Sequence, residues 1–169
     1  MTDCVLVALF REMTMATDDL SLAGVRILLL DDNQHMREVL ASLLAGLGCD
    51  DVSTSDTVKD ALERVMTFKP DLVITDFQLA DETGADFLKA LRANSDELVA
   101  SLPVIFATSH TEPEEVLALT SMGADEVIGK PVTADALYRA IATVASERRQ
   151  FVKTRSYFGP DRRLSGSRD

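Results

Sequence analysis

The run VRILLL at positions 25–30, followed directly by Asp31 and Asp32, constrains this chain more than any other feature. It does not alternate polar with apolar residues, so it does not suit a sheet with one face in water. It reads instead as a central strand of a parallel sheet, buried on both faces. Parallel neighbours need a crossover connection, and the sequence supplies one at once. Met36, Val39, Leu40, Leu43, Leu44 and Leu47 recur at spacings of three and four, which is the apolar stripe of an amphipathic helix, and Gly48 closes it.

The cycle then repeats. Asp51 to Thr54 reads as a weaker strand, and Val58, Ala61, Leu62, Val65 and Met66 as a helix stripe that ends before Pro70. LVIT at 72–75 is the third strand. After a loop containing Gly84, Phe87, Leu88 and Leu91 mark a third helix. PVIFA at 103–107 is the fourth strand, its proline placed at the start where a missing N–H does least harm. A fourth helix follows Pro113, Glu126 to Ile128 make the last strand, and Ala134, Leu137, Ile141, Val144 and Ala145 stripe the last helix. Five such units imply an α/β fold with helices on both faces of a parallel sheet.

The 169 residues make one domain with something left over, and 46% hydrophobic with 27% charged residues is an ordinary globular mixture. The net charge of −11 repels phosphate backbones and anionic headgroups, so DNA is not an expected partner. The charge is split, however. Residues 148–169 hold seven basic and two acidic side chains, leaving −16 on the rest, which marks an appended basic tail. No apolar run reaches the roughly 20 residues of a membrane span. Cys4 and Cys49 form no metal or redox motif and read as reduced thiols of a cytoplasmic protein. Residues 1–24 are an N-terminal extension with two open readings: a short helical segment, or residues ahead of a true start at Met13 or Met15.

In an open parallel sheet, ligands sit beyond the carboxyl ends of the strands. Asp31 and Asp32 follow strand one, Asp76 strand three, Thr108 strand four and Lys130 strand five. Singly, each could serve as a cap or turn residue. Together on one rim they make a site. Three carboxylates repel one another unless something positive joins them, and a hard divalent cation with oxygen ligands, Mg²⁺, answers that need alongside one lysine. With the Thr108 hydroxyl nearby, such a site is equipped for phosphoryl transfer onto a carboxylate.

The segment 25–147 resembles the receiver domain of bacterial two-component response regulators, of the single-domain, chemotaxis-receiver kind. The residues that carry the resemblance are the acidic pair Asp31 and Asp32, Asp76 in LVITD, Gly84 eight residues on, Thr108 in PVIFATS and Lys130 in GADEVIGKP. It implies a doubly wound, flavodoxin-like (βα)5 fold with strand order 2-1-3-4-5 and a cis bond before Pro131. It implies Asp76 as phosphoacceptor with Thr108 and Lys130 as its catalytic partners, and Mg²⁺ held by Asp31, Asp32, Asp76 and the backbone carbonyl of Gln78. The donor would be a histidine kinase or phosphotransfer protein, and the output a phosphorylation-dependent contact with an unknown protein target. The only chemistry implied is the chain's own phosphorylation and dephosphorylation, and a dimer through the fourth and fifth helices is compatible with the family.

Several positions depart from the pattern. Leu79 and Ala80 stand where the family has Met-Pro, and Val127 stands where many receivers have the aromatic that follows the switch hydroxyl inward. Gln78 and His110 fall where the family tunes phosphoryl lifetime. In the tail, Arg155, Tyr157, Phe158, Arg162 and Arg163 combine guanidinium forks with aromatic faces, which suits an anionic partner. A receiver-like effector binding a cyclic dinucleotide or other anion through this tail is therefore the alternative function. A hydrolase is excluded because His35 and His110 lack a paired nucleophile motif, and a nucleotide-binding fold because DDNQH offers no glycine-rich turn.

Overall fold

The computed structural model describes residues 21–146, 151–153 and 158–160. The expectations for residues 1–20, for Arg155 and Tyr157, and for Arg162 and Arg163 lie outside the described residues. Five strands, β1 (Arg26–Leu30), β2 (Asp51–Ser55), β3 (Leu72–Thr75), β4 (Val104–Thr108) and β5 (Glu126–Gly129), form one parallel sheet in the order β2-β1-β3-β4-β5. Five helices connect and follow them: α1 (Gln34–Gly46), α2 (Val58–Thr67), α3 (Gly84–Arg92), α4 (Pro113–Ser121) and α5 (Ala134–Ser146). The doubly wound α/β architecture and its strand order are those the sequence implied.

The three inner strands are buried almost throughout, because helices cover both faces; the edge strands β2 and β5 are partly exposed. Alternate residues feed two cores. Ile27, Leu29, Ile74, Ile105 and Ala107 meet Leu40 and Leu44 of α1 and Leu137 and Ile141 of α5. Leu28, Leu30, Val73, Val104 and Phe106 meet α2, α3 and Leu119 of α4 on the other side. Helix starts are set by side-chain caps: Asn33, Thr57 and Thr83 each accept a hydrogen bond from a first-turn N–H, and Thr83 with Asp86 completes a capping box. Gly48, at φ 87°, takes the left-handed conformation just past α1.

The structure corrects the sequence reading in four places. Pro103 precedes β4 instead of starting it, and its carbonyl accepts the N–H of Val73 at 3.0 Å. Met66 is 53% exposed and does not join the stripe of α2. A single helical turn over Glu97–Ala100, capped by Asp96, has no counterpart in the periodicity, because four residues are too few to display one. Beyond α5, the segments β6 (Phe151–Lys153) and β7 (Phe158–Pro160) pair as an antiparallel two-stranded sheet, where the sequence suggested only an extension. Three-residue strands are likewise too short for a period of two to stand out.

At the amino end of the sheet, buried Arg92 ties together the two segments that lead into β4 and β5. It donates to the carbonyls of Ala100, Leu102 and Gly123 and pairs with Asp125 at 3.2 Å, while Asp125 also accepts the N–H of Val104. That end is closed by structure. The polar side chains of the opposite end are left for chemistry.

Candidate functional site

Main-chain bonds at the carboxyl ends of the strands carry the ladder one residue further. Asp31 N–H donates to Ser55 O at 3.1 Å, Asp76 N–H to Leu30 O at 3.0 Å and Lys130 N–H to Thr108 O at 2.9 Å. Residues just beyond β1, β3 and β5 are thereby held in sheet register, and their side chains emerge on one rim. Thr108 is the last residue of β4 and 1% exposed. The Lys130–Pro131 peptide is cis.

The Lys130 ammonium lies 2.8 Å from Asp76 Oδ2 and 3.3 Å from Asp31 Oδ2, so it bridges the ends of β1 and β3 from the end of β5. Carboxylate oxygens of Asp31, Asp32 and Asp76 lie within 4.8 Å of one another. Burial pushes the Asp31 carboxyl up, against the opposing pull of the Asn33 N–H and the Lys130 charge, with Asp76 adding to the upward push. Burial alone would lower Lys130, but its hydrogen bond to Asp76 and the charges of Asp31 and Asp76 outweigh that and hold it above its ordinary value. Three carboxylates facing one ammonium leave a negative excess, and their all-oxygen donor set fits a hard divalent cation such as Mg²⁺.

Residues 27–142 match the family described as response regulator receiver domain. The chain belongs to that family. The chemotaxis protein CheY of Pseudomonas aeruginosa is 30% identical over 120 residues, covering 71% of this chain and 95% of that protein. CheY-3 of Vibrio cholerae is 33% identical over 114 residues, covering 68% and 86%. Among solved structures, CheY4 of Vibrio cholerae superposes with a TM-score of 0.64 at 25% identity, covering 71% of this chain and 98% of that one. Receiver domains act in two-component and chemotaxis signalling and typically bind Mg²⁺ in an acidic pocket. No helix among the described residues is long and apolar enough to cross a membrane.

Gly84 places the loop that follows Asp76 in this receiver domain. A Cβ there would lie 2.1 Å from the Asp76 carbonyl oxygen and 2.9 Å from the Phe106 ring, so only glycine lets α3 begin so close to Asp76. Its N–H donates to Phe77 O at 2.8 Å. Gln78 has an exposed side chain, and its N–H reaches Asp76 Oδ1 at 3.4 Å. His110 donates its main-chain N–H to Thr108 Oγ1 at 3.1 Å, while its ring nitrogen stands 3.7 Å from Glu115 at the start of α4. Val127 is half-buried beside Phe106 of β4 and packs on the second core. Phe158 lies in β7, with its backbone paired to Lys153.

The sequence reading missed several neighbours of the site. Arg37 donates to the main-chain carbonyl of Asp31 at 2.6 Å, and Asn33 N–H to Asp31 Oδ1 at 2.9 Å. A second group, His110, Glu112 and Glu115, brings its donor atoms within 4.8 Å of one another. Beside Thr108 lies a mainly apolar cavity of about 220 Å³ walled by Phe77, Ala85, Leu119 and Met122 among others. Only the spacing HTEPEE could have pointed to the second group; an arginine six residues after an aspartate carries no signature at all.

Proposed function

We propose that this receiver is a stand-alone response regulator that accepts a phosphoryl group on Asp76 from a histidine kinase or phosphotransfer protein. The observation that carries this reading is Lys130, bridging Asp76 and Asp31 on a rim where Asp32 adds a third carboxylate. Asp31, Asp32 and Asp76, with the Gln78 backbone carbonyl, would hold Mg²⁺, which supplies charge neutralisation for phosphoryl transfer. A carboxylate oxygen of Asp76 forms the new P–O bond as the P–N bond to the donor imidazole breaks, and that nitrogen keeps the electron pair. Lys130 offsets charge on the phosphoryl oxygens as a point cation, and the Thr108 hydroxyl donates to one of them. Gln78 and His110 influence the lifetime of the acyl phosphate through water access. With valine at 127, the output is read by side chains other than an inward-turning aromatic at that position.

The altered surface then binds a protein target, with residues 25–147 as the signalling domain, residues 148–169 as a recognition tail and residues 1–24 as an extension. The cytoplasm is the compartment this role requires, since the phosphodonors act there. Incubation with acetyl phosphate and Mg²⁺ tests the reading. Intact mass is expected to rise by one phosphoryl group, only with Mg²⁺ present and not in Asp76→Ala; labelling of Asp76→Ala, or equal labelling in chelator, overturns it.

A further inference from the structure

The three carboxylates of the rim are not held alike. Asp31 is 1% exposed, accepts the Asn33 N–H at 2.9 Å and pairs with Lys130; Asp76 pairs with Lys130 and faces the Gln78 N–H. The Asp32 carboxylate accepts no hydrogen bond among the described residues and is exposed. The main chain that carries it is therefore what limits where it can reach. The peptide group joining Asp31 to Asp32 has its carbonyl on Asp31, and that oxygen accepts the Arg37 guanidinium at 2.6 Å. A short, charge-assisted bond of this kind holds the peptide plane, and with it the Asp32 Cα from which that side chain departs.

Arg37 is half-buried on the first turn of α1, and its own N–H is spent on Asn33 O within the helix. It makes no ion pair among the described residues, although acidic side chains abound on this rim. Its charge is directed at a neutral carbonyl instead. From this geometry we infer that Arg37 is a positioning residue that orients Asp32 for a divalent cation by clamping the Asp31–Asp32 peptide. The inference rests on the acidic rim being the Mg²⁺ site. Two effects of removing Arg37 then have opposite signs. Loss of a nearby positive charge, by Coulomb's law alone, strengthens cation binding. Loss of the clamp weakens it, as loss of an outer-shell partner commonly does by about 10–100-fold.

Calorimetric Mg²⁺ titration of the full chain, wild type against Arg37→Met, reads the sign directly. The expected result is at least about tenfold weaker binding, with Arg37→Lys, which keeps a charged donor, falling between the two. In an Asp32→Asn background the Arg37→Met change is expected to add little, because its effect passes through Asp32. Acetyl phosphate labelling of Arg37→Met is expected to need more Mg²⁺ but to reach the wild-type plateau, which a merely structural defect would lower. Unchanged or tighter Mg²⁺ binding in Arg37→Met, a lysine variant no weaker than wild type, or an equal further loss in Asp32→Asn overturns the inference. Wild type that binds Mg²⁺ but is not labelled on Asp76 would overturn the phosphoacceptor reading and leave the role of Arg37 to be decided by calorimetry.

Discussion

At Gly84 one absent methyl group decides where α3 can start. The 2.1 Å approach that a Cβ would make to the Asp76 carbonyl oxygen cannot be relieved by turning a side chain, since the obstacle is backbone. Either α3 or the loop carrying Asp76 must shift. Gly84→Ala is therefore expected to destabilise the chain by about 1–3 kcal/mol, the usual range for overpacking, and to slow acetyl phosphate labelling of Asp76 as well. Chemical denaturation alongside a labelling time course checks both; wild-type rates with wild-type stability would contradict the close approach. The buried Arg92 at the other end is a contrasting residue: its guanidinium is engaged by three main-chain carbonyls and the Asp125 carboxylate.

Among the elements, α3 shows how local capping sets up the site. Thr83 and Asp86 exchange hydrogen bonds, fixing the first turn directly after the loop that follows Asp76. The Thr83 N–H, followed by its hydroxyl, holds the Asp86 carboxyl below its ordinary value. A carboxylate with a depressed folded-state pKa stabilises the fold above its unfolded pKa, and that contribution disappears as pH falls through the folded value. Asp86→Asn is thus expected to be less stable than wild type near neutrality and to converge with it in acid below the ordinary aspartate range. Urea denaturation across that pH window measures the convergence, and a constant difference at all pH values would refute the charged cap. Asn33 caps α1 by accepting the Met36 N–H alone, and there the cap, the acidic pair and Arg37 share one short stretch of chain.

On the scale of the molecule, charge and core are segregated. Leu137, Ala140, Ile141, Val144 and Ala145 of α5 are buried in the first core, and in the sequence the basic residues accumulate beyond that helix. A chain ending at Glu147 is accordingly expected to keep its melting temperature and its Mg²⁺-dependent labelling, and to lose affinity for an anionic partner. Thermal melting with and without residues 148–169 decides this; a fall of many degrees on truncation would make the β6–β7 pair part of the folded body and not a separate recognition element.

Sequence alone determined the layered α/β class, the five βα units and the identity of the rim residues Asp31, Asp32, Asp76, Thr108 and Lys130. The reason is physical: a strand buried on both faces must be written as an apolar run, a covering helix as a stripe, and a polar residue closing an apolar run stands at the strand end. The short elements were not legible, because Glu97–Ala100, β6 and β7 lack the length for any period to appear. Only tertiary structure could decide that Lys130 reaches both Asp31 and Asp76, that Arg92 gathers the segments leading into β4 and β5, and that Arg37 grips the Asp31 carbonyl. Each of those contacts joins backbone positions or side chains whose meeting depends on the packing of separate elements, and pattern along the chain carries no distances between them.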